Sequence, residues 1–214
     1  MQTIQADAAT AADRIVALIL AGGAGRRFGS DKAAVAIDGR TSLERVVAAA
    51  RPSVGAIYVI GGSGPLPPGV TARVDDRFPG AGPLQAILSG WAVAADAGAE
   101  TDAIVIACDQ PLIQPAAIAL LAAPLAAQFD GRIPRLEGHA QPLIGRYRAR
   151  ARVRLDQAWA QGGRSMRGAI AALRIEWLEA DALRAAGIEP ERLADFDTGD
   201  DLRRLMEMAP DGDG

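Results

Sequence analysis

Residues Ile15–Lys32 read IVALILAGGAGRRFGSDK, an apolar run that breaks into glycines and then into three basic side chains, Arg26, Arg27 and Lys32. An unbroken apolar run closed by glycine is the pattern of a β-strand buried on both faces, as in a parallel sheet. A glycine-rich turn directly after such a strand lets main-chain N–H groups approach a ligand that larger side chains would exclude. Such donors suit phosphate oxygens, and the nearby cationic side chains add charge. A solvated loop is the plain alternative.

Outward from this stretch, short apolar runs alternate with helix-like segments. TSLERVVAAAR (41–51) has apolar positions at helical spacing, and Thr41 with Glu44 fits a capping box. AIYVIGG (56–62) and VTARVDD (70–76) read as further strands, the latter ending in two acids. GPLQAILSGWAVAADAG (82–98) reads as a helix with Pro83 in its first turn. TDAIVIACDQP (101–111) is the strongest strand signal, and PAAIALLAAPLAAQF (115–129) follows as a helix interrupted at Pro124. After Phe129 the pattern is less regular: HAQPLIGRYRARARVRLDQAWAQG (139–162) looks like a strand running into a helix, and LRIEWLEAD (173–181) like a late strand. Strand–helix alternation predicts one α/β domain over residues 14–209, with a mostly parallel sheet, helices on both faces and ligands at the carboxyl ends of the strands. Residues 1–13 and 210–214 read as loose tails.

Composition narrows the class. The 214 residues carry a net charge of −3, half are hydrophobic, and 24 are glycine. The acidic balance argues against a nucleic-acid partner, which calls for a basic surface. The single cysteine, Cys108, leaves no disulfide or Cys-based metal framework and suits a reducing cytoplasm. No apolar run approaches the roughly 20 residues needed to span a membrane, and the first thirteen residues do not form a secretory signal.

Three phosphate-loop patterns can be tested on the opening stretch. The P-loop requires Gly-Lys-Ser/Thr, whereas Lys32 stands between Asp31 and Ala33. The strict dinucleotide fingerprint requires glycine where Phe28 stands. A looser version exists in Gly23, Gly25 and Gly29, but the second strand ends without the acid that would hold a ribose hydroxyl. The third pattern, Leu-Ala-Gly-Gly-x-x-x-Arg-x-Gly-x-x-Lys, is met in full by Leu20, Ala21, Gly22, Gly23, Arg27, Gly29 and Lys32.

That third pattern resembles the signature of nucleotidyltransferases with a Rossmann-like fold. Within them the chain most resembles the molybdenum cofactor guanylyltransferases, the MobA family. DDRFPGAGPLQAI (75–87), ACDQPLI (107–113), HAQPLIGRYR (139–148) and DFDTGDDLRRL (195–205) are similar to further family segments, in the family's order. The resemblance implies a three-layer α/β/α sandwich of the nucleotide-diphospho-sugar transferase type. The reaction it implies is transfer of GMP from GTP to molybdenum-molybdopterin with release of pyrophosphate, in the cytoplasm. It further implies Mg²⁺ as cofactor, transient hand-over to molybdoenzymes or their chaperones, and no nucleic acid or membrane partner.

Carried over residue by residue, the resemblance makes Arg27, Lys32 and Asp109 catalytic and Asp109 the metal ligand. It makes Leu20, Ala21, Gly22, Gly23, Lys32, Asp76 and Asp109 nucleotide-binding. The main chain of Ala21 to Gly25 would cradle the phosphates. Lys32 acts as a point charge and Arg27 as a bidentate donor. Asp109 leaves the most apolar strand, where a carboxylate needs a cation, a donor or solvent; a helix cap is the alternative. Asp75 and Asp76 could exchange roles. Cys108 reads as an apolar filler.

Two departures stand out. Where many family members carry a nucleotide-contacting asparagine, this chain has Gly61-Gly62-Ser63; and Gln85-Ala86 replaces a small pair. His139 and the segment holding Arg164, Ser165 and Arg167 are candidates for the acceptor side, with ordinary turns and caps as alternatives. The basic run RYRARARVR (146–154) reads as a solvated face, or else as an attractor for the acceptor phosphate. Cytidylyltransfer, another phosphorylated acceptor, a nicotinamide-dependent oxidoreductase and a non-catalytic nucleotide-binding module are the competing functions.

Overall fold

The computed structural model describes residues 15–22, 31–76, 78, 80–97 and 101–208. In chain order its strands are β1 (Ile15–Leu20), β2 (Ala36–Ile37), β3 (Arg40–Thr41), β4 (Ala56–Ile60), β5 (Ala72–Val74), β6 (Asp102–Ala107), β7 (Gly131–Leu136), β8 (His139–Ala140), β9 (Ile144–Tyr147) and β10 (Ile175–Glu179). The α-helices are α1 (Ser42–Ala50), α2 (Pro83–Asp96), α3 (Pro115–Ala122), α4 (Ala151–Ala160), α5 (Met166–Ile170), α6 (Ala180–Ala185) and α7 (Gly199–Met208).

The main sheet runs β10-β7-β9-β6-β1-β4-β5, with β8 paired to β7. β6, β1, β4 and β5 are parallel, as are β7 and β10, while β9 runs antiparallel between β6 and β7. The sheet is therefore mostly parallel, as the alternation predicts. β9 and α4 are the strand and helix read in 139–162, whereas β7 is an element that the irregular region after Phe129 does not announce. β2 and β3 form a separate small hairpin.

Why β1 reads as unbroken apolar sequence is visible in its two-sided burial. Ile15, Ala17 and Ile19 enter one core with Leu43, Val46 and Val47 of α1 and Ile118 and Leu121 of α3. Val16, Leu18 and Leu20 enter the other with Leu84, Ile87 and Trp91 of α2 and Leu155 of α4. Period-two alternation thus feeds both layers of a helix–sheet–helix sandwich. α2 lies close to the sheet at Gly90, where a Cβ would come within 2.7 Å of the Ile60 side chain. α1 starts with the expected capping box, Thr41 accepting from the Glu44 amide and Glu44 from the Thr41 amide. α3 stops at Ala122, two residues before Pro124.

The basic run 146–154 is a partly solvated face, with Arg150 and Arg154 half-exposed, whose arginines are paired within the fold instead of standing open to an anion. Arg146 pairs with Asp102 at 2.7 Å and donates to the Ala122 and Ala123 carbonyls that end α3. Arg150 and Arg154 pair with buried Asp130 at 2.7 and 2.8 Å. These arginines satisfy carbonyls at a helix end and a desolvated carboxylate, which is structural work. Among the described residues no helix is long and apolar enough to cross a membrane.

Candidate active site

β1 continues sideways to β4 and β5, and the chain then returns to pair β6 on the other flank of β1. That reversal is a topological switch point, where open α/β sheets leave a crevice at the carboxyl ends of their strands. The ends of four neighbouring parallel strands deliver the candidates there. β6 brings Asp109, β1 brings Leu20 to Gly22, β4 brings Gly61 and Gly62, and β5 brings Asp75 and Asp76.

Asp109 is placed by its main chain. The Cys108 amide donates to the Leu20 carbonyl at 2.9 Å, extending the β1–β6 ladder to the rim. Ser42 at the start of α1 donates to the Cys108 carbonyl, and Arg45 Nε donates to the Pro111 carbonyl at 3.1 Å. The carboxylate does not cap a helix, since Gln114 holds the N-cap of α3. Instead Lys32 Nζ donates to Asp109 Oδ2 at 3.0 Å and to Asp197 Oδ1 at 2.6 Å. The same ammonium lies 5.4 Å from the centre of the Phe196 ring, and the Phe196 amide donates to the Asp109 carbonyl.

Burial raises the Asp109 carboxyl above its ordinary pKa, only partly opposed by the hydrogen bond and charge of Lys32. For Lys32, burial works to lower the pKa, but the hydrogen bonds to Asp197 and Asp109 outweigh it and the net direction is up. The group is therefore a fixed cation between two carboxylates, one sheltered and one mostly in solvent. Cys108 beside it is buried and its thiol is pushed up to about 12, mainly by burial. It is an apolar filler with no thiolate to offer.

Asp197 is a site residue that the sequence reading did not single out. It precedes α7, where Asp201 Oδ2 accepts from the Asp197 and Thr198 amides and from the Thr198 hydroxyl. The Thr-x-x-Asp spacing of this cap was the available signal. The other candidates separate. Asp76 accepts from the Phe78 amide at 3.0 Å and makes no contact with Lys32 or Asp109. His139 is exposed on β8, and Gln85 donates to Ser89 one turn along α2. Arg164 stacks 3.9 Å from the Trp159 ring centre. Gly23 and Arg27 lie outside the described residues.

Of the expected phosphate cradle, Ala21 to Gly25, the structure describes only Ala21 and Gly22; Gly23 to Gly25 lie outside the described residues. The Ala21 and Gly22 amides both donate to the Ile60 carbonyl, at 2.9 and 3.0 Å. They fasten the turn to the end of β4 and are not open to a ligand. Beside this turn opens a cleft of about 130 Å³ lined by Ala21, Ala33, Leu43, the Gly62–Gly64 loop, Leu66 and neighbouring prolines, with Asp31, Glu44 and Arg73 as its charged lining. An apolar slot with a few polar groups suits a planar base. Asp31 and Ala33, the chain neighbours of Lys32, are among the cleft's lining residues. Among the described residues no group of three or more His, Cys, Asp or Glu side chains is gathered to hold a metal ion. The two carboxylates on Lys32 show where a cation already takes oxygens from both.

Residues 17–176 match the family model described as the MobA-like NTP transferase domain. The chain belongs to that family. A probable molybdenum cofactor guanylyltransferase of Mycolicibacterium paratuberculosis is 35% identical over 198 residues, covering 91% of this chain and 96% of the relative. One from Chloroflexus aggregans is 34% identical, covering 88% and 92%. Among solved structures, molybdopterin-guanine dinucleotide biosynthesis protein A of Archaeoglobus fulgidus superposes with a TM-score of 0.70 at 22% identity, over 90% of this chain and 97% of that one. At that identity the structural likeness speaks for the fold. The chain is a nucleotidyltransferase, and the nicotinamide reading is set aside.

Proposed function

We infer that this member of the family transfers GMP from GTP to molybdenum-molybdopterin, completing a guanine dinucleotide form of the cofactor. An oxygen of the acceptor's terminal phosphate attacks the α-phosphorus of GTP. The bond from the α-phosphorus to the α–β bridging oxygen breaks, and pyrophosphate leaves with that electron pair. No covalent intermediate with the protein is needed, so catalysis rests on position and on charge placed where the phosphate oxygens become more negative.

The observation that carries this reading is Lys32 held between Asp109 and Asp197 at the switch point. The cleft beside the turn formed by Leu20, Ala21 and Gly22 takes the base. Lys32 would turn to the phosphates when GTP binds, and Arg27 would share that role. Asp109, with Asp197 on the same cation, fits a hard divalent ion such as Mg²⁺. When bound, the metal would neutralise and orient triphosphate oxygens. Asp76, at the end of β5, belongs to the nucleotide side.

The test is pyrophosphate release from GTP, CTP and ATP with molybdenum-molybdopterin and Mg²⁺. GTP is expected to turn over at least tenfold faster than the others, with Asp109→Ala inactive. Preference for CTP would keep the chemistry and change the product, and silence with all three would reject the reading.

A further inference from the structure

The cleft has a wall whose hydrogen-bonding capacity is set from outside it. After β4 the chain turns through Gly61 and Gly62 at φ +71° and +68°. Both glycines are required by geometry: a Cβ on Gly61 would lie 2.8 Å from Gly22 Cα, and one on Gly62 would lie 3.2 Å from Ala21. No side-chain amide can be placed at either position without moving the β1 turn. The loop instead offers its main chain.

Arg73, on the edge strand β5, divides that main chain into used and unused groups. Its Nη1 donates to the Gly62 carbonyl and lies 3.5 Å from that of Gly61, and its Nη2 donates to the Gly64 carbonyl. The guanidinium thus grips two loop carbonyls with a rigid two-pronged donor, a geometry that lysine cannot copy. The Gly61 amide is engaged by Val74 at 2.9 Å. The amides of Gly62, Ser63 and Gly64 have no acceptor among the described residues, and all three residues line the cleft with Arg73. The remaining polar lining includes two acceptors. Asp31 accepts from Ala33 through Oδ1 and Glu44 from Thr41 through Oε2, so each keeps a second oxygen.

We propose that Arg73 is a positioning residue for base selection, holding the Gly62–Gly64 loop with its amides as donors to the O6 and N7 edge of guanine. The proposal rests on the reading of GTP as the nucleotide donor and deepens it. Guanine carries acceptors at O6 and N7 and donors at N1 and N2, so the amides read the first edge and the Asp31 and Glu44 oxygens accept from the second. Arg73 acts through the loop and does not touch the reacting atoms.

The test compares GTP with 7-deaza-GTP, which lacks only the N7 acceptor, by calorimetric titration with Mg²⁺ and no acceptor. Wild type is expected to bind GTP at least tenfold more tightly, since a donor covered by the bound base and left unpaired costs about that much or more. Arg73→Met should bring the ratio close to one, through loss of GTP affinity with little change for the analogue. Arg73→Lys should restore only part of it. Ser63→Pro removes one of the amides without touching Arg73 and should also lower the ratio, which keeps the test open if Arg73→Met folds poorly. An unchanged ratio in Arg73→Met and Ser63→Pro, even with both ligands weakened equally, overturns the proposal. A wild type that binds GTP but does not prefer it to the analogue overturns this proposal alone. A wild type that binds no GTP overturns the GTP reading and the proposal with it.

Discussion

Lys32 Nζ stands 3.0 Å from Asp109 Oδ2, and the same nitrogen stands 2.6 Å from Asp197 Oδ1, so one ammonium joins carboxylates from two distant parts of the chain. In this arrangement Lys32 occupies both groups best suited to a divalent ion. Lys32→Met is expected to lower kcat/KM for GTP about 100-fold, as removal of a charge on developing phosphate oxygens does. It should also raise the affinity of the nucleotide-free protein for Mn²⁺ several-fold, read by electron paramagnetic resonance titration. A weaker Mn²⁺ site in the variant would contradict this view of the pair.

Asp109 gives a pH-dependent prediction whose sign follows from burial. Its folded pKa is raised, so its contribution to stability is full below the ordinary carboxyl range near about 4 and is lost as pH rises through the folded value. At pH 7.5 the wild type carries the cost of a sheltered carboxylate. Asp109→Asn should therefore melt at or above the wild type there while losing activity, as function-bearing strain leads one to expect. The advantage should shrink as pH falls towards 4. Melting clearly below wild type at pH 7.5 would mean that the pair with Lys32 outweighs burial.

Asp130 behaves in the opposite way. It is buried, and although burial alone would raise its pKa, the Arg174 amide and the Arg150 and Arg154 side chains hold it below the ordinary range. Its stabilisation is present above the ordinary carboxyl pKa and is lost as pH falls through the lowered value. Asp130→Ala should cost about 2 kcal/mol at pH 7, because both arginines are half-exposed and can re-solvate. That corresponds to a fall in Tm of about 4–8 °C. GTP affinity should be unchanged, since Asp130 precedes β7 at the end of the sheet away from Asp109. A large loss of GTP affinity at full folding would show that the two ends communicate.

Gly61→Ala probes the join between the two nucleotide-side turns. The new Cβ meets Gly22 Cα at 2.8 Å in a left-handed backbone conformation. A loss of about 2 kcal/mol is expected in urea unfolding, with weaker GTP binding at temperatures where the variant remains folded. Wild-type stability and affinity would mean that the β1 and β4 turns move apart without cost.

Legibility in the sequence tracked how local each signal was. β1 and β6 declare themselves because both faces are buried, and α1 because its capping box lies within four residues. β7 was hidden by charge: Arg132 sits inside it, its guanidinium neutralised by Glu176 and by the Leu120 and Ala123 carbonyls of the last turn of α3. No periodicity rule marks an arginine whose carboxylate partner lies 44 residues away. Asp109 was legible as an acid at the end of an apolar strand. Asp197 was not, because DFDTGDD offers four acids and only a contact 165 residues away distinguishes one. Arg73 looked like any strand residue until the Gly62 and Gly64 carbonyls were seen to converge on it.

The central claim is tested most directly by following radiolabelled GMP from α-labelled GTP into molybdenum-molybdopterin with wild type and Asp109→Ala, with and without Mg²⁺. The account predicts label in a dinucleotide product and one pyrophosphate released per label, both dependent on Mg²⁺ and both abolished by the substitution. Label transferred equally well by Asp109→Ala, or no label transferred by folded wild type, would contradict it.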